Sequence, residues 1–209
     1  FQRLADIVNA NHGDIDKFVG DEIMAAFDGP DKELHACRAA LGIRKAMAEA
    51  REKAISEHHK PIEIGIGINA GPVVFGSVGS QSRMDFTSIG DNVNLAARLE
   101  GANKNYGTKS LISEAVFDKI KHEFLCREID LLTVVGKKKP VRIHEILSLK
   151  ADSDEATRHL ARDFEIALGH YRAQDWDNAQ RIFFRLWNES HDAASEVFLK
   201  RIDLFRKAN

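Results

Sequence analysis

The sequence predicts an α+β domain followed by a small all-α tail. Segments with helical spacing alternate with segments of alternating polar and apolar residues as far as Lys150. Beyond Lys150 the pattern is helical throughout, and the composition changes at the same point. Glycines are frequent between Gly65 and Gly107 but rare in the later part, which holds both tryptophans. We therefore assign residues 1–149 to a domain and residues 150–209 to a helical tail.

The domain begins with a helix, a hairpin and a longer helix. Apolar residues at helical spacing open the chain at residues 4–8. Residues 15–27 (IDKFVGDEIMAAF) have apolar positions on both sides of Gly20 and Asp21, which predicts a hairpin with Asp21 in its turn. Residues 32–58 are rich in alanine, arginine and lysine and predict the long helix.

The next predicted element is a strand with two different faces. Residues 62–69 (IEIGIGIN) place isoleucines on one face, whereas Gly65 and Gly67 leave space on the other for another backbone or a ligand. The later elements are a hairpin formed by VVFGSV and MDFTSI, a helix from Asn92 to Leu99, a strand at KSLIS, a helix from Glu114 to His122, and closing strands at residues 131–135 and 141–146.

Charge and cysteine content exclude several classes of protein. The chain has 30 Lys and Arg against 32 Asp and Glu, so it has no general basic field for nucleic acid. Cys37 and Cys126 have neither CxxC spacing nor a nearby histidine cluster, which argues against a disulfide framework and a zinc site. The sequence has no membrane-length apolar run and no signal-peptide pattern. We expect a cytoplasmic protein, in which any attachment to a membrane would be made by an upstream region.

Residues 87–98 (TSIGDNVNLAAR) give the strongest indication of a site. Asp91 is a good capping residue, and the helix after it places Asn94 and Arg98 on one face, about 6 Å apart. An amide beside a guanidinium suits an anionic substrate with a polar ring. An ordinary surface helix with a solvated arginine has the same pattern, so these residues alone leave both interpretations open.

Four motifs in order resemble the catalytic domain of class III nucleotidyl cyclases, the adenylate and guanylate cyclases. They are KFVGDEIMAAF, INAGPVVFGSVGS, TSIGDNVNLAARLE and GKKKPVRIHE, and the resemblance covers residues 1–148. It implies a ferredoxin-like antiparallel sheet with helices on one side, and a homodimer with active sites at its interface. The implied reaction converts ATP to 3′,5′-cyclic AMP and pyrophosphate.

The resemblance assigns purine recognition to Lys17 and Thr87. Lys17 stands where adenylate cyclases have a lysine and guanylate cyclases usually a glutamate, and a lysine can only donate, as adenine N1 requires. Thr87 matches the second purine-selecting position. Both residues favour ATP. The alternative interpretation is that Lys17 is a solvated lysine of the hairpin and Thr87 an ordinary strand residue, neither of which binds a purine. A guanylate cyclase, or a noncatalytic nucleotide-binding or dimerisation module, would retain the same fold.

The resemblance implies that Asn94, Arg98 and Lys137 bind the ribose and the phosphates of the substrate. Attack of the ribose 3′-oxygen on the α-phosphate needs the ribose held in line and the phosphoryl charge offset, tasks that suit an amide and a guanidinium. Lys137 would bind the β- and γ-phosphates, although Val135 replaces a frequent lysine. A solvated basic turn at residues 137–139 is the alternative.

The resemblance also implies that Asp21 is one of the two aspartates that hold a pair of Mg²⁺ or Mn²⁺ ions. In the family the second aspartate lies on a strand upstream of the helix that opens this chain. Neither Asp14 nor Asp16 has an equivalent context. The chain is then either a fragment of a longer polypeptide or a relic that lost its first strand. The opening within a helix favours the fragment, and we expect little or no activity from it by itself.

The tail resembles the later part of a tetratricopeptide repeat. YRAQDWDNAQRIF matches its tyrosine, Asp-aromatic, alanine and aromatic positions, although Gln174 replaces the usual glycine. Solenoids of this kind usually need about three repeats to bury their faces. We therefore expect the helical hairpin and a final helix, Ser195 to Lys207, to pack on the cyclase domain or on a second protomer. An independent peptide-binding groove that recruits a partner is the alternative.

Overall fold

The computed structural model describes residues 1–80, 83–133 and 140–208. The helices are α1 (Gln2–Ala10), α2 (Lys32–Ser56), α3 (Asp91–Tyr106), α4 (Glu114–Ile120), α5 (Glu155–Arg172), α6 (Trp176–Ser190) and α7 (Ala193–Ala208). The strands are β1 (Gly13–Val19), β2 (Glu22–Phe27), β3 (Ile66–Ile68), β4 (Val74–Ser80), β5 (Arg83–Ile89), β6 (Ser110–Ser113), β7 (Phe124–Leu132) and β8 (Val141–Leu149). Among the helices in these ranges, none is long and apolar enough to cross a membrane.

The central sheet has four strands in the order β3, β6, β8, β7. Strand β8 is antiparallel to both of its neighbours, whereas the edge strand β3 runs parallel to β6. The hairpins β1–β2 and β4–β5 form separate two-stranded sheets. The predicted α+β fold with a helical tail is confirmed, with one parallel strand pair in a sheet expected to be antiparallel.

Two predicted strands have different bounds in the structure. The strand expected over residues 62–69 is limited to β3, because its partner β6 begins at Ser110, opposite Ile66. The closing strand expected at residues 131–135 is β7, which begins earlier and ends at Leu132; residues 134–135 lie outside the described ranges. Arg127 interrupts the apolar alternation of β7, yet it is buried.

Helices cover both faces of the sheet, whereas the family resemblance implies helices on one side. Successive strand residues point to opposite faces, and Leu111 and Ile112 of β6 enter different cores. The Ile112 core contains residues of α2 and α4. The Leu111 core contains residues of α3 and of all three tail helices. The tail thus shares one continuous core with the domain.

Aromatic rings fill the centre of the shared core. The ring of Phe164 in α5 meets those of Phe183 in α6 and Phe198 in α7 edge to face, with centroids 5.3 and 5.7 Å away. On the domain side, Leu95 and Leu99 of α3 belong to the same cluster. The buried face of α3 therefore packs against the tail as well as the sheet.

Candidate active site

Helix α3 starts directly after β5, at a glycine. Gly90 has φ +142°, a conformation that other residues avoid, and its carbonyl accepts hydrogen bonds from the backbone amides of Val93 and Asn94 at 3.0 and 3.2 Å. The predicted cap, Asp91, is instead the first helical residue. Its negative charge in the first turn still interacts favourably with the helix dipole.

Asn94 and Arg98 lie on the exposed side of α3. They alternate with Leu95 and Leu99, which are buried, so the helix presents a polar face and an apolar face. Within the described residues, neither side chain forms a hydrogen bond or an ion pair. The predicted neighbouring amide and guanidinium are therefore free to bind a ligand.

A close approach of two backbones fixes α3 against the sheet. A Cβ atom on Gly67 would lie 2.2 Å from the carbonyl oxygen of Ala96 and from the nitrogen of Glu100. The side-chain amide of Asn103 also donates to the carbonyl of Ile66 at 2.9 Å. Of the two occupants expected beside the glycines, the structure thus has a backbone, that of α3.

Two asparagines fix the beginning of α3. The side chain of Asn69 donates to the carbonyl oxygen of Asn92 at 3.0 Å, and the side chain of Asn92 donates to the carbonyl oxygen of Pro72 at 2.8 Å. Sequence reasoning missed this function of the INAGP motif, because the bonds join segments that are distant in the sequence. Together with Gly67, they hold the helix that carries Asn94 and Arg98.

Asp21 lies in the two-residue turn between β1 and β2. Val19 pairs with Glu22, and Gly20 has φ +63° at the first turn position, where glycine is favoured. The carboxylate of Asp21 is exposed, as the predicted hairpin requires.

The turn of this hairpin lies in an acidic environment. Burial raises the pKa of Glu100 in α3, and the nearby charges of Glu22 and Asp21 raise it further. In the described part of the chain, no group of three or more His, Cys, Asp or Glu side chains could hold a metal ion. Asp21 therefore fits a divalent cation as one hard oxygen ligand but does not form a complete site.

Thr87 is buried on β5 and bonded to the strand that carries Lys17. Its hydroxyl donates to Oδ2 of Asp16 at 3.0 Å, and the backbone amide of Ser88 donates to the same oxygen at 3.1 Å. The structure thus brings together the strands of the two predicted purine-binding residues. Sequence reasoning considered Asp16 only as a metal ligand and missed this contact.

The remaining predicted residues differ in how far the structure describes them. Lys17 is half-buried on β1, and no partner for its side chain occurs among the described residues. Lys137 lies outside the described ranges, so its contact with phosphate stays a prediction.

Comparison with known proteins identifies the family. A protein-family model described as "Adenylate and Guanylate cyclase catalytic domain" matches residues 1–147. The chain belongs to this family. The match ends close to the start of the helical tail, and the tetratricopeptide resemblance of the tail is not confirmed.

Similar proteins include enzymes named for both nucleotides. A terminal-differentiation specific adenylate cyclase of Dictyostelium discoideum is 39% identical over 139 residues, 65% of this chain but only 6% of that protein. The crystal structure of the adenylyl cyclase CyaB from P. aeruginosa has a TM-score of 0.64 at 32% identity, covering 73% of this chain and 81% of that one. The guanylyl cyclase Cya2 has a TM-score of 0.61 at 29% identity, covering 74% and 79%.

Proposed function

We propose that residues 1–149 are the catalytic domain of an adenylate cyclase, which converts ATP to 3′,5′-cyclic AMP and pyrophosphate. The observation that carries this proposal is the pair Asn94 and Arg98, which are exposed, have no partner among the described residues, and lie on a helix whose backbone is fixed against the sheet. A fixed helix backbone reduces the reorganisation that such donors need when charge develops on a substrate. Membership of the cyclase family supports the same activity.

Each residue of the site has a separate function in the proposed reaction. Asn94 holds the ribose so that its 3′-oxygen is in line with the α-phosphate, and Arg98 offsets the negative charge that develops on the phosphoryl oxygens. Lys137 binds the β- and γ-phosphates as a point charge.

Lys17 and Thr87 select the purine in this proposal. A lysine ammonium can only donate, which suits adenine N1, and a threonine hydroxyl can accept from the adenine amine. Guanylate cyclase activity is the second candidate, and the structural similarity to Cya2 favours testing it.

Asp21 would hold Mg²⁺ or Mn²⁺ together with further oxygen ligands. The bound ions would lower the pKa of the ribose 3′-hydroxyl and neutralise the leaving pyrophosphate. The exposed carboxylate of Asp21 and the nearby carboxylates of Glu22 and Glu100 support this assignment.

The active form in this proposal is a homodimer. Phe18 and Val19 on β1 and Val74 and Phe75 on β4 are large apolar residues with more than half of their surface exposed. Exposed apolar patches of this kind mark protein interfaces. A second copy would cover them and complete the site, while the tetratricopeptide-like tail stabilises α3 from the other side.

The proposal is tested by assaying the intact natural polypeptide with Mn²⁺ and either ATP or GTP, with product separation by chromatography. Cyclic AMP from ATP, at a higher kcat/KM than cyclic GTP from GTP, is the expected result. A preference for GTP would establish the second candidate. If the dimer binds nucleotide but forms neither cyclic product, the domain is a noncatalytic module.

A further inference from the structure

Asp16 occupies an irregular position in β1. The pairing of β1 with β2 shifts register between Ile15, opposite Ala25, and Lys17, opposite Met24, so Asp16 is an extra residue without a partner on β2. Bulges of this kind redirect a side chain and are frequent beside active sites. Here the redirected carboxylate reaches β5, where it contacts Thr87 and Ser88.

The contact fixes the direction of the Thr87 hydroxyl. A hydroxyl has one proton, and that of Thr87 is donated to Oδ2 of Asp16 at 3.0 Å. The carbonyl oxygen of Ser88 is a more distant acceptor, at 3.4 Å, and it is neutral, so the carboxylate is the stronger partner. Because Thr87 is only 7% exposed, bulk water does not compete for the proton. The hydroxyl oxygen is left with acceptor capacity alone.

An acceptor at this position distinguishes the two purines. Adenine carries a donating amine where guanine carries an accepting carbonyl oxygen. A freely rotating threonine hydroxyl could serve either base, since it both donates and accepts. We propose that Asp16 is a positioning residue that makes the site select adenine, by holding the Thr87 hydroxyl as an acceptor. This inference rests on the cyclase function proposed above.

The second oxygen of Asp16 supports a function in binding. Oδ1 is buried and has no hydrogen-bond partner among the described residues. A buried acceptor without a partner is unfavourable for folding, so the anchoring of β1 to β5 does not account for it. It adds a second acceptor beside Thr87, which further disfavours the carbonyl oxygen of guanine.

The test compares kcat/KM for ATP and for GTP in variants of the intact natural polypeptide. Asp16→Ala is expected to reduce the ATP:GTP ratio about tenfold or more, mainly through a gain with GTP, because the freed hydroxyl can then donate to the carbonyl oxygen of guanine. In a Thr87→Val background, Asp16→Ala should reduce the ratio by a much smaller factor, because only the contribution of Oδ1 is left to lose. Asp16→Asn should keep most of the preference, since one amide oxygen can accept both bonds. The control is Asp14→Ala, which removes an exposed carboxylate from the same strand.

The outcomes separate this inference from the proposed function. If the wild-type protein cyclises neither nucleotide, the proposed function fails and the inference fails with it. If the wild type prefers ATP but Asp16→Ala lowers both kcat/KM values equally, Asp16 only holds the hairpin and the inference alone is overturned. Circular dichroism verifies folding. If Asp16→Ala does not fold, Asp16→Ser, which is too short to accept both bonds, provides the same comparison.

Discussion

Arg98 has an exposed guanidinium, whereas the next residue, Leu99, is buried. The helix that carries both packs against the sheet and the tail. In the proposed reaction it acts on charge that develops only in the transition state. We therefore expect Arg98→Ala to lower kcat by about 10²- to 10³-fold while KM changes little. Steady-state kinetics with ATP measure both constants. Lys104→Ala, which removes an exposed cation from the same helix, should leave them unchanged; a rise in KM at constant kcat for Arg98→Ala would assign Arg98 to ground-state binding.

Individual residues show why part of the site could be predicted from the sequence. The turn at Gly20 and Asp21 depends on local chemistry, and so does the helical spacing of Asn94 and Arg98. The contact between Asp16 and Thr87 joins residues 71 positions apart. No local pattern reports such a contact, because it depends on how two hairpins pack.

Strand β7 illustrates the same limit for a whole element. Its apolar alternation is interrupted by Arg127, which is buried because Glu145 of β8 and Asp192 before α7 accept its hydrogen bonds at 2.7 Å. Both partners are remote in sequence. A charge within an apparent strand therefore indicates an exposed segment until its partners are known.

Asp192 joins the tail to the sheet. One carboxylate oxygen accepts from Arg127, and the other accepts from the backbone and hydroxyl of Ser195 at 2.9 and 2.6 Å. We expect Asp192→Ala to lower the free energy of unfolding by about 3–5 kcal/mol, because it leaves buried Arg127 with one carboxylate partner fewer. Urea denaturation measures the change. Asp177→Ala, which breaks an exposed ion pair of the tail with Arg206, serves as control and should have little effect. Equal losses in both variants would contradict this explanation.

The same carboxylate gives the tail a pH dependence. Burial raises the pKa of Asp192, but hydrogen bonds from Arg127 and Ser195 lower it by more, so the pKa in the folded state is below its usual range. The ionised carboxylate therefore stabilises the fold above about pH 4, and this stabilisation is lost as the pH falls through the folded-state pKa. In urea titrations, the difference between wild type and Asp192→Ala should shrink below pH 4. A constant difference down to pH 2 would show that ionisation of Asp192 is not its source.

For the whole molecule, the proposed dimer predicts which apolar surface is essential. Val74 on β4 is 69% exposed, and Leu204 on α7 is 67% exposed. We expect Val74→Asp to weaken dimerisation by about tenfold or more and to reduce activity in parallel, because a charge would be buried at the interface. Leu204→Asp should change neither. Sedimentation equilibrium gives the dissociation constants, and an unchanged dimer in Val74→Asp would place the interface elsewhere.

The shared core has a consequence for synthesis on the ribosome. Chains emerge from the amino terminus, and segments fold when their partners are available. Leu95 and Leu99 pack in one cluster with Phe198 and Ile202, which are translated after α3. The helix that carries Asn94 and Arg98 therefore acquires its full packing only after the tail has emerged. Until then its apolar face is exposed to chaperones, so a ribosome that stalls within the tail would hold a nascent chain with an incompletely packed catalytic helix.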